Sequence, residues 1–385
     1  MSQRMSQTST SQVQTRSRIE THSEQALEKA ASKKALFELD VLRIVGMVLI
    51  LFEHARPYLG WDPRVKWLVP SVGGIGLTIF FFLSGFLLRR SQQQRRQSFD
   101  AVTFLKSRFV RIFPLYWCAI AAFTAVFHYA KLFKPSDFAP LPQTLLAHVS
   151  GLQLFVSPHI FVVFTIWYMG ALIPYYLVFA LTARLNIRSF LLSNGLVLIG
   201  LYGLKLVLAS QGIALIDTRL RLHFPTFLAG AYYAHLDPDC NLMRRHKSTL
   251  AIVFTVLMLV IIRWEGPSGF SLDKVNITAD GYVYYLYCLA GGMAFGAIAF
   301  LLSNSAQKFP KIIAILSVSS YAVYLFHRPL YSLFYIFWLE LLSYSVPTRT
   351  LLYPFATLFV VAVSYGISQI DVRVFKPALT KLLSR

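Results

Sequence analysis

Apolar runs of about 20 residues recur along this chain from residue 37 to residue 371, and they leave it few possible folds. A run of that length crosses the roughly 30 Å hydrocarbon layer as a helix rising about 1.5 Å per residue. Lipid offers the backbone no hydrogen bonds, and a helix satisfies its own. Ten runs can be drawn: 37–59, 70–91, 107–130, 161–184, 189–209, 218–236, 248–264, 280–303, 312–338 and 350–371. Only 14% of the residues are charged, against about 25% in a soluble domain. The pattern predicts an all-α polytopic membrane protein with about ten transmembrane helices. A Gln/Ser/Thr-rich tail over 1–34 has no apolar run and reads as disordered, not as a signal peptide. The transmembrane domain then covers 35–373, and a short tail covers 374–385.

The formal net charge is +20, which raises the question of nucleic acid. The distribution argues against it. With the N-terminus in the cytoplasm, 24 Lys and Arg fall on cytoplasmic segments, 10 on outer segments and 3 within spans. That bias follows the positive-inside rule with both termini cytoplasmic, so the excess charge serves topology and anionic-lipid contact. The partner expected from charge alone is the bilayer of a cell membrane. The segment 135–160 holds LLAHVSGLQLFV, too short to span, and reads as an outer loop with a re-entrant or interfacial helix. Cys118, Cys240 and Cys288 have neither metal nor disulfide spacing.

Ionisable residues inside spans are costly, and they mark candidate sites. Arg43 and His54 bracket ten residues, nine of them apolar or glycine. Eleven steps of about 100° bring the two to one helix face, about 16 Å apart along the axis. Asp40 lies about 40° from that stripe. A neutral imidazole held there suits a general base. The alternative is a histidine bonded to a neighbouring helix, with Arg43 snorkelling to the membrane edge. Glu53 precedes His54 but points about 100° away, and is a candidate to orient the ring.

Further along, FLKSRFVRIFPLYW (104–117) places Arg108 and Arg111 one turn apart at a helix mouth, just after Lys106. Guanidinium forks match phosphate oxygens; a positive-inside anchor is the plainer reading. Pro114 is expected to kink that helix. In GGIGLTIFFFLSGFLLRR (73–90), Gly73, Gly74 and Gly76 permit close approach of a helix or a substrate. Ser84 reads there as packing or pocket lining. In SVSSYAVYLFHRPLY (317–331), His327, Arg328 and Pro329 form a polar break suited to a pocket wall or to interhelical bonding. Trp167 and Tyr168 suit an interfacial aromatic belt or a sugar-stacking platform. His128, His148, His159 and His223 have no evident partners.

Together LDVLRIVGMVLILFEH, FFFLSGFLL, FLKSRFVRIFPLYW and YAVYLFH resemble the acyltransferase-3 family of integral membrane O-acyltransferases. The likeness is ordered and specific over residues 36–117 and mainly one of hydropathy over 118–310. The resemblance implies transfer of an acyl group, acetyl or another short one, from cytoplasmic acyl-coenzyme A (acetyl-CoA first) to a hydroxyl of an extracytoplasmic glycan or related envelope molecule. It implies His54 as the catalytic histidine and Arg43, Arg108 and Arg111 as donor-binding arginines, with no metal. The family is best populated in bacteria, which points to an inner membrane. Trp167, Tyr168 or His327 would guide the acceptor. Glu53 beside the histidine departs from the family pattern, and no hydrolase-like domain follows residue 371 as in some members. The rival reading is a transporter or flippase that uses the same groups as a proton or anion path.

Overall fold

A computed structural model describes residues 33–56, 58–59, 72–94, 99–129, 141–156, 164–213, 215–265, 279–342 and 346–383. The tail expected over 1–34 lies outside these up to residue 32, as do His159 and the side chain of His128. Helix α1 (33–56) precedes α2 (Gly73–Gln94), α3 (Ala101–Tyr129), α4 (Leu141–Ser150) and the single turn α5 (Gln153–Val156). Then follow α6 (Trp167–Thr182), α7 (Ile187–Ser210), α8 (Thr218–Leu222), α9 (Phe224–Leu236) and α10 (Asn241–Glu265). The chain continues through α11 (Ala279–Ala306), α12 (Pro310–Leu342), α13 (Val346–Ile370), a π turn (Asp371–Phe375) and α14 (Lys376–Leu383). No strand occurs among the described residues.

Seven helical segments are long and apolar enough to cross a bilayer: Gly73–Gln94, Ala101–Val126, Ile187–Ser210, Asn241–Trp264, Gly281–Ala306, Pro310–Phe337 and Val346–Leu383. The other three expected runs are helical but different in character. α6 is apolar and only 16 residues long. α1 carries Glu38, Asp40, Arg43, Glu53 and Arg56. The run 218–236 divides at His223 into α8 and the 13-residue α9. Apolar side chains on α7, α10 and α13, such as Ile199, Ile252 and Leu358, face outward. In a bilayer such surface meets lipid, so it needs no protein partner.

α3 continues through Pro114 and α12 through Pro329 as single helices, and the polar stretch at 327–329 lies within α12. The tail expected after 373 is a helix, α14, packed against α3. The short helix expected within 135–160 is α4, and Gly151 ends it at φ +75°, a conformation glycine adopts without strain. Bonds from Tyr116 and Trp117 to the carbonyls of His148 and Val149 fasten it to α3.

The bundle is organised around α2, which packs against α9 and α11. Without a solvent to squeeze helices together, close backbone approach does the work. A Cβ on Gly85 would overlap the Phe227 carbonyl, and one on Gly230 would overlap that of Phe82. Gly46 and Gly76 meet in the same way where α1 crosses α2. Nothing lies within 4 Å of the corresponding position on Gly366. Gly85→Leu and Gly230→Leu are therefore expected to abolish the monodisperse peak in detergent gel filtration, while Gly366→Leu keeps it. Equal yields from all three would show that the α2–α9 crossing is not held by backbone contact.

Candidate functional site

Arg43 sits on α1 where the helix faces α12. Its Nη1 donates to Asp40 Oδ1 at 2.9 Å and to Ser317 Oγ at 2.5 Å, and Ser317 Oγ donates to the same Asp40 oxygen at 2.6 Å. The spacing of Asp40 three residues before Arg43 puts the ion pair on one face of α1. Ser317 ties that face to α12. A partly buried cation with a carboxylate and a hydroxyl is a held cation, its side chain fixed before any ligand arrives.

Beside it lies a cavity of about 350 Å³. Arg43, Arg108, Arg111, Ser84, Tyr168 and Tyr324 line it, with apolar side chains from α2 and α6. The three arginines expected to act together thus do meet. Arg108 stacks over the Phe104 ring at 5.1 Å and over Tyr176 at 5.8 Å, which holds its guanidinium plane on aromatic faces. Asp100 starts α3 by accepting from the backbone N–H groups of Val102 and Thr103. Hydrogen bonds from Thr103 keep its carboxyl below the usual carboxylate range.

An aromatic wall closes the cavity. Tyr168 Oη donates to the Phe80 carbonyl and pairs with Ser84 Oγ at 2.9 Å. Its ring meets that of Tyr324 at 5.4 Å. Tyr324 Oη in turn donates to the Thr165 carbonyl, and Arg328 donates to the Thr165 hydroxyl, so α12 fixes the start of α6.

His327 lies one turn beyond Tyr324, with ring centroids 6.1 Å apart. The His54 ring faces it at 4.8 Å. His327 is fully buried, and its Nδ1 lies 2.7 Å from the Tyr324 carbonyl oxygen. A carbonyl only accepts, so the proton is on Nδ1 and Nε2 carries the lone pair. That Nε2 is buried with no hydrogen-bond partner among the described residues. His54 itself is half-buried. Neither histidine lines the arginine cavity; Tyr324, which does, contacts the His327 ring.

Other expected residues lie elsewhere. The Glu53 carboxylate accepts from Arg56 at 3.1 Å and from the Val72 N–H at 3.0 Å. It secures the entry to α2 and makes no bond to His54. Gly73, Gly74 and Gly76 are filled against Glu53, Tyr284 and Gly46, so they are helix-packing positions with no room for a substrate. Trp167 lies beside His223 and under Arg219, away from the cavity. Arg89, Arg90, Arg219 and Arg221, at the ends of the expected runs 70–91 and 218–236, are buried. Arg90 pairs with Asp239 and Arg219 with Asp217. Ser320, Tyr321 and Tyr324, on α12 within the stretch read as a pocket wall or as interhelical bonding, line the cavity. The sequence reading missed Tyr176, which lines it from α6.

The acyltransferase-3 family model, described as an acyltransferase domain, matches residues 36–369, and the chain belongs to that family. It is a multi-pass cell-membrane protein. It is 24% identical to the O-acetyltransferase OatA of Staphylococcus aureus over 344 residues, which cover 81% of this chain and 53% of that one. It is 35% identical over 92 residues to protein 2 in the picA locus of Rhizobium radiobacter, covering 23% of this chain and 44% of the other. The chain spans about half the length of these relatives. No solved structure matches.

The bonds Glu53 makes tie α1 to the start of α2. Glu53→Gln is expected to cost on the order of 1 kcal/mol in a thermal melt, since it weakens two charge-assisted bonds. A hundredfold loss of turnover at an unshifted melting temperature would make it a catalytic group instead.

Proposed function

We propose that this protein is a membrane O-acyltransferase, moving a short acyl group, acetyl first, from acyl-coenzyme A to a hydroxyl of an extracytoplasmic glycan or related envelope molecule. The observation that carries the reading is the cavity that gathers Arg43, Arg108 and Arg111 next to the His54–His327 pair, in a chain of this family. The Lys and Arg bias makes the arginine end cytoplasmic, the side where acyl-coenzyme A is found.

On this reading the donor's phosphates bind the arginines, whose forks suit them. The thioester passes the Tyr168–Tyr324 wall, which has to part for it. His54 takes the proton of the acceptor hydroxyl as that oxygen attacks the thioester carbonyl carbon. The C–O bond forms, the C–S bond breaks, and the leaving thiolate recovers the proton from His54. Tyr168 and His327 border the path and position the acceptor.

Purified protein in nanodiscs, given labelled acetyl-CoA and an acceptor glycan, is expected to release thiol in proportion to acetylated acceptor. His54→Ala, once shown to fold, should lose at least about 10²-fold, the contribution of a positioned base. Arg108→Ala and Arg111→Ala should raise the donor KM at least about tenfold, as loss of a charge-assisted contact does. Movement of a solute without thiol release would replace the reading with transport.

A further inference from the structure

A second cavity, about 520 Å³, lies on the other side of Arg43 and Arg111. Ligand pockets are commonly about 300–1,000 Å³. The two cavities share Arg43, Arg111, Ser320 and Tyr321, so the two arginines stand at their common boundary. Ser107, Ser317, Ser368, Thr380, Asp371 and Lys376 line the second as well. Asp371 opens the π turn between α13 and α14, an irregularity often found at functional sites. It is 1% exposed. Its Oδ2 binds Lys376 Nζ at 2.7 Å, while Oδ1 is buried with no hydrogen-bond partner among the described residues.

Resting on the proposed function, we propose that this second cavity is the subsite for the adenine nucleoside of the acyl donor, its phosphates lying between the two cavities on Arg43 and Arg111. The chemistry selects a ligand with two characters. The arginines and Lys376 call for anionic phosphate. The spare carboxylate oxygen and the row of hydroxyls call for N–H and O–H donors, which an adenine amino group and ribose hydroxyls supply. A simple phosphate or an acyl chain satisfies only one of these; the carboxylate repels the first and the hydroxyls waste the second. The assignment also separates the donor's parts, since the arginine cavity, with its apolar side chains from α2 and α6, is left for the thioester arm.

The test is displacement of labelled CoA by ADP from the full-length protein in nanodiscs. Wild type should release label to ADP. With the label held well below its own dissociation constant, Asp371→Asn and Thr380→Trp, the latter at an exposed position on α14, should each raise the half-displacing concentration at least about tenfold, the usual effect of losing a contact to a charged group or filling its space. Thr380→Trp keeps the test valid where Asp371→Asn fails to fold. Unchanged displacement in both variants overturns the subsite, and so does an ADP that releases no label from wild type. Acyl transfer is measured on the same preparations. Intact transfer with unchanged displacement sinks the subsite alone; no CoA binding and no transfer sink the proposed function with it.

Discussion

A guanidinium inside a bilayer has to bring its partners with it. Placing an unpaired arginine at the middle of a span costs about 2.5–3.5 kcal/mol even on insertion scales. Asp40 and Ser317 meet that demand for Arg43. Because one partner is on α1 and the other on α12, satisfying the charge also fixes how those two helices meet. The charged load of α1, which keeps it from being a plain apolar span, thus becomes the joint around which both cavities form. Asp40 offsets one positive charge of three, so the mouth stays cationic and suits a multiply charged anion.

The same logic explains why so many arginines here are buried outside the cavity. Arg90 has Asp239, Arg219 has Asp217, and Arg89 donates to the Ala183 carbonyl and lies over the Phe190 ring. Burial of an arginine is therefore no mark of a site in this fold. What sets Arg43, Arg108 and Arg111 apart is that they face a common empty volume.

Helical periodicity made part of this legible. The Arg43–Asp40 pair and the Arg108–Arg111 turn follow from 3.6 residues per turn, and the all-α multi-pass fold from apolar run length. What periodicity lacks is any knowledge of which helices touch. His54 and His327 meet with tilted rings across 273 positions of sequence, and nothing local to either announces it. Glu53 looked like a partner for its neighbour, yet the backbone N–H of Val72 claims it. Trp167 and Tyr168 are adjacent, and one step of about 100° sends the first toward His223 and the second into the cavity wall. Asp371 reads in sequence as the end of a span; only the π turn and the packing of α14 show it walled in.

The dipeptide Ser84–Gly85 shows how packing and chemistry depend on one another. Gly85 has the Phe227 carbonyl where a Cβ would be, so α9 presses directly on the α2 backbone. That contact fixes both the distance and the rotation of α2. One residue earlier, about 100° around the helix, Ser84 then faces the cavity and meets the Tyr168 hydroxyl. Any side chain at 85 would push α2 off α9 and toward the cavity, narrowing the space between the arginines and the tyrosine wall. The missing methyl group on one face of α2 thus sets the width of the cavity on the other.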